Sequence, residues 1–87
     1  MRLPNAADFE KEIRRRWAAA ALQGEKYTDV CSGDLHRFLG GYPNRGHHRM
    51  PDCCQVMYRL KGGRDTVRNS PAKGYGASLV IRYVLPR

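Results

Sequence analysis

Glycine stops constrain this chain more than any other feature. Gly24, Gly33, the pair Gly40-Gly41, the pair Gly62-Gly63, and Gly74 with Gly76 divide the 87 residues into short segments. Each segment must then declare its type through its own apolar period. Between Asn5 and Gly24, the residues Phe9, Ile13, Trp17, Ala20 and Ala21 fall on one helical face, and Glu10, Lys11, Arg14 and Arg15 on the other. Asn5 is placed to cap, Asp8 stands three residues on as in a capping box, and Gly24 ends the helix. The run Arg14-Arg15-Arg16 is read as a solvated face.

The remaining segments are shorter. Lys26 to Cys31 is β-prone and bounded by Gly24 and Ser32-Gly33, which predicts a short strand. Ser32 is expected to cap a brief helix from Gly33 to Leu39, stopped by Gly40-Gly41. Tyr42 to Arg49 has turn chemistry and no period, so it is a loop. Pro51 suits the first position of a third helix, Pro51 to Leu60, with Cys53, Val56, Met57 and Leu60 as its core stripe. Asp52, Gln55 and Arg59 form a polar stripe on another side. After Gly62-Gly63, Arg64 to Asn69 and Ala77 to Leu85 are predicted strands joined by the turn-rich loop Ser70 to Gly76. The core is expected from Phe9, Ile13, Trp17, Leu35, Leu39, Val56, Met57, Leu60, Leu79 and Ile81.

Length limits this to one small domain, residues 1–87, burying about 60–65% of its unfolded surface. With 41% hydrophobic and 28% charged residues it has enough apolar material to fold. No apolar run approaches the roughly 18–20 residues of a membrane span, and no signal-peptide core follows Met1-Arg2-Leu3-Pro4. Cys31, Cys53 and Cys54 are odd in number and two are neighbours, which does not make a disulfide framework and favours a reducing, cytoplasmic setting.

Charge says more about partners. Sixteen Lys and Arg oppose eight Asp and Glu, a net charge of +8, and twelve of the cations are Arg. Arg presents the forked donor set suited to phosphate and base edges, so nucleic acid is the expected partner. An anionic membrane surface is the weaker partner, because no strongly apolar face accompanies the charge.

The order helix, short strand, helix, helix, strand, basic loop, strand resembles the winged helix-turn-helix superfamily, over Asn5 to Leu85. The resemblance implies an α+β fold of three helices with a C-terminal β-hairpin and a short strand after the first helix. It also implies that Pro51 to Leu60 enters the DNA major groove while the Ser70 to Gly76 wing touches backbone or minor groove. On that basis Gln55 would pair with adenine, Arg59 with guanine and Asp52 with cytosine. Arg45, His47, His48 and Arg49 would meet phosphate ahead of the third helix. Arg68, Lys73 and Tyr75 would serve on the wing, where Gly74 and Gly76 allow close backbone approach. The Gly40 to Pro51 connection exceeds the usual 3–4-residue turn, which makes the loop itself a second candidate contact surface. The expectation is a non-catalytic DNA-binding protein, DNA favoured over RNA, in transcriptional control or as an accessory to a DNA-directed complex.

Three other chemistries compete. The first is a protein-binding adaptor or inhibitor using the basic surface with Tyr42, Tyr58 and Tyr75. A zinc module would draw on Cys31, His36, His48 and Cys53, which have the right ligand types but no Cys-x2-Cys knuckle, so no metal or other cofactor is expected. Catalysis is not expected either. Cys54 with His47 or His48 lacks a local signature, the carboxylates are scattered, and Gly74-Tyr75-Gly76 is no nucleotide fingerprint.

Overall fold

A computed structural model describes residues 3–42 and 49–87. Its elements run α1 (Ala6–Leu22), β1 (Tyr27–Cys31), α2 (Ser32–Leu39), α3 (Met50–Leu60), β2 (Thr66–Asn69) and β3 (Val80–Val84). The result is a small α+β fold, three helices against one antiparallel sheet of order β1-β3-β2.

Local chemistry sets the start of α1. The Asn5 side chain accepts from Asp8 N–H at 3.0 Å while Asp8 Oδ2 accepts from Asn5 N–H at 2.9 Å, so two of the helix's orphan donors are satisfied reciprocally. The Phe9, Ile13 and Trp17 stripe is buried as its spacing requires. Glu12 is also buried, which the period did not foretell. Its carboxylate accepts from Arg15 Nε and Nη2 at 2.8 Å each and from Arg16 Nε at 2.9 Å. Arg15 and then Arg16 hold its pKa down to about 2, against the burial that would raise it.

The C-terminal hairpin pairs antiparallel as expected, and the short strand after α1 joins it in one sheet, an arrangement the sequence left open. β3 is central, pairing with β1 from Tyr27↔Val84 to Cys31↔Val80 and with β2 from Thr66↔Arg82 to Asn69↔Val80, with an irregularity between Val67 and Asn69. Both C-terminal strands are shorter than their β propensity suggested. Arg64 and Asp65 fall in a turn, because Asp65 turns inward and accepts from Gly62 N–H at 2.7 Å, Val84 N–H at 2.8 Å and Arg87 at 2.7 Å. Ala77 to Leu79 leave the ladder because they bond α2 instead: Gly33 N–H donates to the Ala77 carbonyl at 3.0 Å and Ser32 N–H to the Leu79 carbonyl at 2.9 Å. Gly33 permits this close approach, since a Cβ there would meet the Ala77 oxygen at 2.8 Å.

Ser32 does not cap α2. It lies inside the helix, Cys31 holds the cap position without a side-chain capping bond, and the Ser32 hydroxyl donates 2.5 Å to the Gly76 carbonyl. The long-range acceptor replaces the local one. The core contains the expected residues except Leu39, which is only partly buried at the end of α2. It includes Cys53 of the α3 stripe and adds Val30, Met50, Cys54, Tyr83 and Leu85. Tyr83 ties the sheet to α3 by donating 2.8 Å to the Met57 carbonyl. Trp17 packs on Tyr83 with centroids 5.1 Å apart, and the Arg87 guanidinium lies 4.3 Å from the Trp17 ring. Among the described residues no helix is long and apolar enough to cross a membrane.

Candidate nucleic-acid interface

Helix α3 buries Met50, Cys53, Cys54, Val56, Met57 and Leu60 and leaves Pro51, Gln55 and Arg59 exposed, with Asp52 and Tyr58 half-buried. That division follows from 100° per residue: Gln55 stands opposite the core, Tyr58 lies to one side of it, and Asp52 and Arg59 lie to the other. Cys54 belongs to the buried set, although the sequence stripe named only Cys53.

The loop from Ser70 to Leu79 docks along the Tyr58 side of α3. The Tyr58 hydroxyl donates to the Gly74 carbonyl at 2.6 Å, and Cys54 Sγ exchanges 3.4 Å contacts with the Gly76 carbonyl and N–H. Ser32 adds its bond to Gly76, and Cys31 Sγ donates 3.3 Å to the Ala77 carbonyl. The loop backbone is therefore fixed to α2 and α3 along its second half. Gly74 is needed for its φ of +84°, a left-handed conformation that side chains resist. Gly76 makes its close approach within the loop, where a Cβ would come 3.1 Å from Pro71. Docking places Tyr75 beside Tyr58 with ring centroids 5.9 Å apart, and leaves Lys73 and Tyr75 exposed on the Tyr58 side of α3.

The candidate contact residues thus separate into groups. Arg45, His47 and His48 lie outside the described residues. Arg49 immediately precedes α3, ion-pairs with Asp52 at 3.6 Å, and gives its backbone N–H to His36 Nε2 at 2.9 Å. Gln55 stands at the crest. Arg59, one turn on, is drawn toward α1 by Glu10 at 2.8 Å, a carboxylate that Arg14 shares. Glu10 is held below its usual pKa by Arg59 first and Arg14 second. Arg68 is exposed on β2, whose four residues all face solvent. The fold brings Tyr58, Lys73 and Tyr75 to one side of the Gln55 crest, and sets Arg59 on the other side, facing α1, with Asp52 beside it. Tyr58, Ser32 and Cys54, which build the loop platform, were not foreseen as a group. Their partners are 16, 44 and 22 residues away, and no local pattern announces such pairs.

The zinc set does not assemble among the described residues. His36 is fully buried with both ring nitrogens engaged. Nε2 accepts from Arg49, so Nδ1 carries the proton and donates 3.1 Å to the Gly40 carbonyl. Cys53 lies in the core, its thiol 3.7 Å from the Ser32 carbonyl, and burial pushes its pKa up. Burial likewise raises Cys54, so neither thiol is poised as a nucleophile. His48 lies outside the described residues. Comparison with family models, with curated proteins and with solved structures returned no match.

Proposed function

We propose that this chain is a non-catalytic, winged-helix-type domain that binds double-stranded DNA, with α3 in the major groove and the Ser70–Leu79 loop as the wing. A role in transcriptional control or beside a DNA-directed complex suits it. The observation that carries the reading is the juxtaposition of an exposed polar crest on α3, centred on Gln55, with a docked loop bearing Lys73 and Tyr75. Gln55 supplies the paired donor and acceptor that match an adenine edge. Lys73 supplies a charge for phosphate beside it. Arg59 serves as a flank contact unless it exchanges Glu10 for a base.

Anisotropy titration of duplex DNA, followed by selection of a preferred site, tests this. Gln55→Ala should cost about 1–3 kcal/mol on the preferred site and much less on unrelated DNA. Lys73→Ala should weaken all duplexes alike and lower the log–log salt slope by about one. Absence of duplex binding at low salt would refute the reading. It would move the weight to a protein partner, for which Tyr27, Phe38 and Tyr75 are exposed aromatic anchors.

A further inference from the structure

Resting on that reading, we infer a second phosphate-binding surface, a cationic track along the edge strand β2 made by Lys61, Arg64 and Arg68 and running on to Lys73. Its origin lies in how the chain distributes its acids. After Asp52 there is one carboxylate, Asp65, against seven cations: Arg59, Lys61, Arg64, Arg68, Lys73, Arg82 and Arg87.

The fold then neutralises three of the seven and leaves the others. Arg59 takes Glu10 from α1 at 2.8 Å, and Arg82 takes Asp29 from β1 through two bonds of 2.8 and 3.1 Å. Arg87 takes Asp65, whose carboxylate is fully buried and turned away from the strand edge. Lys61, Arg64, Arg68 and Lys73 make no ion pair among the described residues. Arg68 does help lower the pKa of Asp29, after Arg82, without pairing to it. Arg64, Arg68 and Lys73 are exposed and Lys61 is half-buried.

These four are consecutive cations of the chain. They follow one another through the turn after α3, along β2 and into the loop docked on α3. Among the described residues β2 pairs with a strand on one side only. A single charged residue on an edge strand is ordinary protection against edge-to-edge pairing. Charges that continue through the turn and the loop, with the one carboxylate of that stretch of chain withdrawn inward, exceed that need. From Arg64 to Arg68 the chain spans at most about 14 Å, the axial length of about four phosphates on one strand of a duplex. A membrane surface fits less well, since Val67 is the single apolar side chain of β2 and its neighbours are Thr66, Arg68 and Asn69.

The test compares two charge-matched double variants by duplex anisotropy across a salt series, with circular dichroism to verify folding. Arg64→Gln/Arg68→Gln removes two cations from the track. Lys11→Gln/Lys26→Gln removes two cations, equally free of ion pairs, from α1 and the approach to β1. The track variant should lower the salt slope by about two with sequence preference unchanged, and the control should leave the slope unchanged. Duplex binding with equal slopes in both variants would overturn the track and leave the proposed function standing. Failure of the unmodified protein to bind any duplex would overturn both.

Discussion

Glu12 offers the most exact check on how charge supports this fold. Its carboxylate is buried on α1 and accepts three bonds from Arg15 and Arg16, which lower its pKa from an ordinary 4.5 to about 2. Taken at face value the shift is worth about 3 kcal/mol of preference for the ionised form in the folded state. Arg15 is 59% exposed, however, so solvent screening reduces the contribution to about 2 kcal/mol. The folded pKa is depressed, so the stabilisation is complete above the unfolded value and is lost as pH falls toward 2. Glu12→Gln keeps the volume but turns an amide NH2 toward guanidinium donors. Urea unfolding followed by Trp17 fluorescence should show the variant about 2 kcal/mol less stable at pH 7. More than half of that gap should close between pH 6 and pH 3 as the wild-type carboxylate approaches its folded pKa. A gap of the same size at both pH values would refute the electrostatic account and assign the cost to packing.

Two further substitutions test the long-range bonds that position the candidate interface. Ser32→Ala should cost about 1 kcal/mol, lower Tm by about 4–8 °C, and speed hydrogen exchange near Gly76 and Ala77; unchanged exchange there would mean that the loop is held by its other bonds. His36→Leu removes the partners of the Arg49 N–H and the Gly40 carbonyl together, and should cost about 2 kcal/mol or more in a thermal melt. A loss below about 0.5 kcal/mol would show that the ring acts only as packing volume.

Sequence alone determined the order and type of the elements among the described residues, the α1 capping box, and most of the core. These depend on interactions within a few residues or on a period that a single segment carries, as with Phe9, Ile13 and Trp17. It also supplied the polar side of α3, because Gln55 and Arg59 sit one turn apart whatever surrounds them. Tertiary structure decided the rest. Ser32 became a clamp on Gly76 rather than a cap, since its hydroxyl bonds a carbonyl 44 residues away that packing brings to it. β3 became the central strand, and the ends of both hairpin strands were lost to α2 and to Asp65, because a backbone group bonds the partner that packing brings to it. The division of arginines into paired and unpaired was likewise invisible in the row of letters. A formal charge of +8 says how many cations exceed the acids, and only the folded chain decides which cations Glu10, Asp29 and Asp65 neutralise and which remain open to an anion.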